Sequence, residues 1–241
     1  MDLRGVVLAG GTGSRLRPLT KVTNKHLLPV GQKPMIYYPI EKLTAIGMSQ
    51  ILIVTGVEYM GDVVSLLGSG REFNCQFTYK VQDEAGGIAQ ALGLAENFAG
   101  GQPLVVILGD NIFQAGLKDY ADKFMAQGGG SRILLRQVAN PQRFGVAEIS
   151  DGKVIGIEEK PEKPKSDYAV TGIYFYDSSV FDIIRTLKPS ARGELEISDV
   201  NDIYITKGQL AYDILEGWWT DAGTFESLAR ANELVAKEPP K

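Results

Sequence analysis

The chain has 241 residues, one to two domains' worth at ~100 to 200 residues each, so it can bury a sizeable core. Its 25 basic and 29 acidic residues leave a net charge of −4, which argues against a general nucleic-acid or anionic-membrane binder and makes any phosphate chemistry local. One cysteine (Cys75) and one histidine (His26) exclude an intrachain disulfide, a zinc cluster built from Cys and His, and an HExxH site. Catalysis must therefore rest on carboxylates, Arg, Lys and backbone, with His26 the single imidazole that could serve as a base.

The first 110 residues alternate short apolar runs with longer helix-like patterns, as in βαβ units around a mainly parallel sheet. Strands are predicted near 3–8, 51–55, 76–81 and 104–108, and helices over 36–46, 59–67 and 88–98, stopped at Gly47, Gly68 and Gly100. Such a half binds ligands beyond the carboxyl ends of its strands. Past Asp110 the rhythm turns strand-rich: strands over 133–138, 145–149, 154–158 and 169–176, short helices over 179–187 and 199–205, and a closing helix over 225–236. A mixed extension of the sheet is the natural reading. No Pro- or Ser-rich linker separates a nucleotide-binding half (1–110) from a second half (111–241), so a single α/β domain of Rossmann-like, doubly wound type is expected. The charged run 160–166 reads as a lid-like loop. No apolar run approaches the ~18 residues that cross a bilayer. No basic, apolar and small-residue segments precede the first strand, so a cytoplasmic location is the expectation.

Directly after the first strand comes Leu8-Ala-Gly-Gly-Thr-Gly-Ser-Arg15, in which glycines let backbone N–H groups approach phosphate oxygens. Leu16 stands where a dinucleotide fingerprint needs its third glycine, and the Gly-Lys-Ser/Thr of a P-loop is missing. A plain strand-to-helix turn is the bland alternative; Arg15, Arg17, Lys21 and Lys25 weigh against it. Asp110, just past an apolar strand, and Asp221 are oxygen ligands of the kind a hard cation wants, though an Asp so placed is, taken alone, more often a turn or cap residue. Lys160 precedes Pro161 and should be extended. Arg192 precedes Gly193 at a loop tip.

These segments, with Asn24-Lys-His-Leu-Leu-Pro-Val30, Lys33-Pro-Met-Ile-Tyr-Tyr-Pro39, Leu108-Gly-Asp-Asn111, Glu158-Glu-Lys-Pro161, Tyr168 to Tyr176, Arg192 to Ile197 and Trp219-Thr-Asp-Ala-Gly223, resemble the sugar-phosphate nucleotidyltransferase family over essentially the whole chain. The resemblance is strongest to the branch that transfers thymidylyl groups. It implies a fold of the nucleotide-diphospho-sugar transferase type and reaction of dTTP with α-D-glucose 1-phosphate to give dTDP-glucose and pyrophosphate, feeding dTDP-sugar synthesis, commonly dTDP-L-rhamnose for polysaccharide. It further implies Mg²⁺ on Asp110 and Asp221, triphosphate neutralisation by Arg15 and Lys25, and a sugar-phosphate grip by Lys160 and Arg192.

The nucleotide would lie along Leu8, Gly10, Gly11, Thr12 and Gly13, with its base at Gln82 and Gly87. A glutamine amide can accept from N3–H and donate to O4 of thymine or uracil. Asn111, Gly145, Glu159, Val170 and Tyr174 match positions around the hexose, with Glu159 suited to accept from sugar hydroxyls. UTP, another hexose 1-phosphate, and a non-catalytic nucleotide-sugar sensor are the alternatives. The resemblance also suggests a homo-oligomer. Longer members carry further C-terminal helices that help form a regulatory site between subunits, so this chain is expected to be a short form with feedback control weakened, absent or built differently. His26 replaces an expected glutamine and reads as a partly buried loop residue. Cys75 reads as a small apolar strand residue, and Trp218 and Trp219 as core or pocket wall.

Overall fold

A computed structural model describes residues 3–241. In the first half lie β1 (Arg4–Ala9), β2 (Pro29–Val30), β3 (Lys33–Pro34), α1 (Tyr37–Ala45), β4 (Gln50–Gly56), α2 (Met60–Leu67), β5 (Gln76–Gln82), α3 (Ile88–Gly93), α4 (Glu96–Ala99) and β6 (Leu104–Leu108). The second half adds β7 (Asn111–Phe113), α5 (Lys118–Gln127), β8 (Ser131–Gln137), β9 (Gly145–Ser150), β10 (Lys153–Glu159), β11 (Tyr168–Tyr176), α6 (Val180–Thr186), α7 (Ile197–Thr206), β12 (Leu210–Ile214), β13 (Trp219–Asp221) and α8 (Phe225–Lys237).

The expected mixed sheet is present: nine strands run β10-β9-β11-β6-β1-β4-β5, with β8 on β11 and β12 on β8. β1, β4, β5 and β6 pair in parallel, whereas β11 joins β6 antiparallel and ties the two halves into one sheet. Alternation along β1 explains the two cores. Val6 and Leu8 face the layer of α3, α6 and α7, while Val7 and Ala9 face that of α1, α2 and α5. Burial on both faces is why β1, β4 and β6 read as unbroken apolar runs, and each fully buried aliphatic side chain contributes ~1.5–3 kcal/mol relative to exposure.

The predicted helix over 88–98 is in fact two, α3 and α4, separated at Leu94 and Ala95. Cys75 is buried just ahead of β5 rather than in it. Five short or mixed elements escaped the sequence reading: the β2–β3 hairpin, β7, α5, β12 and β13. β7 and β13 matter most, because they form a separate antiparallel ribbon in which Asp221 lies opposite Asn111. Among the described residues no helix is long and apolar enough to cross a membrane.

Candidate active site

A cleft of about 290 Å³ opens at the carboxyl ends of β1, β5 and β6 and runs along β9, β10 and β11. Its walls bring together Leu8, Gly10, Gly11, Arg15, Lys25, Gln82, Gly87, Asp110, Asn111, Gly145, Glu159, Lys160, Val170, Tyr174 and Asp221. Three expected residues are not in its lining: Thr12 and Gly13, in the turn beyond β1, and Arg192.

At one end is the glycine turn. Gly13 takes φ +59, its carbonyl accepts from Thr20 Oγ1 at 2.7 Å, and a Cβ there would meet the Thr20 methyl at 3.0 Å. That packing turns the chain into the 3-10 helix Ser14–Leu16 carrying Arg15. Lys25 opens another 3-10 turn, Lys25–Leu27, capped by the Asn24 side chain. Its Nζ lies 2.6 Å from Asp110 Oδ2.

Asp110 follows β6, and Asp221 ends β13. A Cβ built on Gly223 would lie 3.4 Å from Asp221 Oδ2, 3.5 Å from Asp110 Oδ2 and 3.3 Å from Arg15 Nη2, so two carboxylates and a guanidinium converge where glycine leaves room. Burial pushes the Asp110 carboxyl up, but Lys25, His26 and a hydrogen bond from Asn111 override it and hold the group well below the usual carboxylate range. Asp221 is raised, first by burial and then by Asp110 itself. Two mutually repelling carboxylates, Asp110 buried and Asp221 half-buried, fit Mg²⁺, which takes one or two protein carboxylates and completes its shell with phosphate oxygens and water. Among the described residues no third His, Cys, Asp or Glu joins them, consistent with such a partial ligand set.

At the carboxyl end of β5, Gln82 Nε2 donates to the Gly87 carbonyl at 3.1 Å and to Gln90 Oε1 at 2.7 Å. Both amide hydrogens are thereby engaged, which corrects the expectation that Gln82 would also donate to O4; its Oε1 remains the acceptor. Gly87 has φ +99, and a Cβ on it would lie 2.4 Å from the Leu195 carbonyl. His26 is more deeply placed than expected: it is 1% exposed, bonded through Nδ1 to Asn24 Oδ1 at 2.7 Å, and pushed down to about 3, chiefly by burial.

Just past β10, Lys160 is not extended. It adopts φ +46, with its N–H donating to the Phe144 carbonyl at 3.0 Å, so the turn that closes β10 outweighs the bias from Pro161. Arg192 sits beside the cleft, 3.5 Å from Glu159 Oε1, and is bound by Glu196.

Sequence reasoning missed several lining residues. Arg143, whose Nη2 lies 3.9 Å from Asp221 Oδ1, left only the signal of a cation before Phe144-Gly145. Ser198 and Asn201 are buried on α7 with Oγ and Nδ2 unpartnered, and both face the cleft lining. Trp219, expected as core or pocket wall, is both: it is buried, lines the cleft and donates Nε1–H to Asn111 Oδ1 at 2.7 Å.

The sequence profile of the nucleotidyl transferase family matches residues 4–238. The chain belongs to that family. Glucose-1-phosphate thymidylyltransferases of Neisseria meningitidis and Mycolicibacterium smegmatis are each 45% identical over 237 residues, covering 97% of this chain and 82% of the relative. A Bacillus anthracis crystal structure, described as a glucose-1-phosphate thymidylyltransferase in complex with sucrose, is 61% identical and superposes with a TM-score of 0.93 over 96% of this chain and 94% of its own. A UDP-glucose pyrophosphorylase complexed with UDP-glucose, 25% identical, superposes with a TM-score of 0.85 over 98% and 99% of the two chains. The family and the nucleotidyltransferase fold thus agree.

Proposed function

We propose that this chain transfers a thymidylyl group from dTTP to α-D-glucose 1-phosphate, forming dTDP-glucose and releasing pyrophosphate, with Mg²⁺ as cofactor. The observation that carries the reading is the convergence of Asp110, Asp221, Arg15 and Lys25 between a pyrimidine-compatible acceptor, Gln82 Oε1, and a hydroxyl-accepting Glu159. The thymidylyltransferases at 45% identity over nearly the full chain support the choice of dTTP and glucose 1-phosphate.

The nucleophile is a phosphate oxygen of the sugar phosphate. A phosphate monoester's second pKa is ~6, so it is already largely dianionic at neutral pH and needs no general base. His26, buried and held neutral, is not required for that step. What the chain supplies is alignment and charge neutralisation around the transferring phosphorus. Arg15 and Lys25 offset the triphosphate and the departing pyrophosphate, Lys160 and Arg192 the sugar phosphate, and the glycine turn offers backbone N–H groups. Asp110 and Asp221 would hold Mg²⁺, which when bound supplies Lewis-acid neutralisation of phosphate oxygens.

Since Gln82 presents only its acceptor, it reads the N3–H common to thymine and uracil. A single 5-methyl group discriminates by only ~1–3 kcal/mol, so UTP is a slower substrate rather than an excluded one. The test is pyrophosphate release with glucose 1-phosphate and Mg²⁺, comparing dTTP, UTP, CTP, ATP and GTP, repeated with Asp110→Asn and Asp221→Asn. Turnover fastest with dTTP, slower with UTP and lost in both variants is the expected pattern. Nucleotide-sugar binding with no turnover on any nucleotide would replace the enzyme with a sensor.

A further inference from the structure

Glu196 is 7% exposed and stands at the residue preceding α7, and its side chain makes no bond to the first turn of that helix. A buried carboxylate needs other partners. Glu196 finds them in Arg192, whose Nε donates to Oε1 at 3.1 Å and Nη2 to Oε2 at 2.7 Å, a two-point fork, while Ser190 Oγ braces Oε1 at 2.7 Å. The carboxyl is held below its usual range: burial opposes this, but the bonds from Arg192 and Ser190 prevail. Glu194 and Glu159 also crowd Nη2, at 3.3 and 3.5 Å, whereas Nη1 makes no hydrogen bond among the described residues.

The segment carrying this fork is tied to the base end of the cleft: Leu195 N–H donates to the Gly86 carbonyl at 2.8 Å and Ala89 N–H to the Leu195 carbonyl at 3.2 Å. A long arginine on an exposed turn would otherwise sample many rotamers, each of which must be given up on binding an anion.

We propose that Glu196 is a positioning residue for the sugar phosphate: by taking up the Nε and Nη2 edge of Arg192 it fixes the guanidinium beside Glu159 and Lys160 and leaves Nη1 for a phosphate oxygen. This rests on the assignment of Arg192 to the sugar phosphate. The same geometry has an opposite reading, in which the carboxylate competes with the phosphate for Arg192, and the two differ in the sign of one measurable effect.

The test is steady-state kinetics of Glu196→Gln with each substrate varied in turn, beside Arg192→Ala. A fixed arginine predicts that E196Q raises KM for glucose 1-phosphate about tenfold, the effect of one lost charge-assisted bond, while KM for dTTP and kcat at saturating sugar phosphate stay within about twofold. General damage to the fold would move all three together. Ser190→Ala, which withdraws only the brace, shifts the same KM in the same direction by a smaller factor and keeps the test open if E196Q does not fold. A lower KM for glucose 1-phosphate in E196Q assigns the carboxylate as a competitor, and an unchanged one removes its role; either overturns the proposal. If R192A leaves that KM unchanged, the assignment of Arg192 fails first and the proposal with it, whereas an effect in R192A alone sinks only the part given to Glu196.

Discussion

Lys25 Nζ lies 2.6 Å from Asp110 Oδ2, with each side chain only 13% exposed. The pair joins a 3-10 turn near the N-terminus to the end of the strand 85 residues later, and it fixes the charge state of the carboxylate proposed to bind the metal. Without the ammonium, burial alone would drive the Asp110 carboxyl upward.

Replacing Lys25 by Met leaves a buried carboxylate without its closest cation, a change that typically costs ~3–5 kcal/mol. The variant should unfold at a lower temperature than the wild type in chelator, and Mg²⁺ should raise its Tm more than it raises that of the wild type, since the cation takes over part of the neutralisation. Thermal melts with and without Mg²⁺ decide it; equal Mg²⁺ shifts in the two proteins would count against a metal at Asp110.

His26 makes the fold acid-sensitive. Its folded pKa, about 3, lies below the ordinary 6.5, so the unfolded chain binds the proton more readily and stability is lost as pH falls from 6.5 towards 3. The slope from this residue alone approaches ~1.4 kcal/mol per pH unit within that window. In denaturant titrations from pH 7 to pH 4 in chelator, His26→Gln should flatten the profile; a variant as acid-sensitive as the wild type would mean that the imidazole is not held neutral.

Gly87→Ala meets two obstacles, a left-handed φ of +99 and a Cβ 2.4 Å from the Leu195 carbonyl. Backbone strain at such a position is worth ~1–3 kcal/mol, and the steric overlap adds to it. Because the displaced segment also accepts from Gln82, KM for dTTP should rise several-fold along with the loss in stability. Chemical denaturation paired with nucleotide kinetics would show both; a stable variant with normal dTTP use would contradict the close approach.

Asn111 joins three elements. Its Oδ1 accepts from Trp219 Nε1 at 2.7 Å and from Gly172 N–H at 3.0 Å, while Nδ2 donates to Asp110 Oδ1 at 3.0 Å. Asn111→Asp replaces that last donor by an oxygen facing Asp110. We expect a loss of at least tenfold in kcat/KM and a weaker Mg²⁺ response, whereas Trp219→Phe, which removes one donor to Oδ1, should cost ~1 kcal/mol of stability. Kinetics over a Mg²⁺ series test the first and equilibrium unfolding the second.

The parallel half of the sheet was legible in the sequence because burial on both faces imposes unbroken apolar runs: the run from Leu104 to Leu108 is a strand over those same residues. The glycine turn after β1 was legible because Gly11 and Gly13 take a positive φ that favours glycine. β7 and β13 were not, since three-residue strands carry no periodicity and exist only through pairing across the fold; the Trp219 to Asn111 bond spans 108 residues.

Local chemistry thus marked an aspartate after an apolar strand and cations following a glycine turn, and the family resemblance added Asp221 and Gln82. Tertiary structure decided their availability. Engaging both Nε2 hydrogens of Gln82 left it an acceptor, closing β10 put Lys160 at φ +46, and an acidic neighbour four residues on tied up the Nε and Nη2 edge of Arg192. A side chain's type follows from its codon, but which of its hydrogens remain free depends on neighbours that only the folded chain brings within hydrogen-bonding distance.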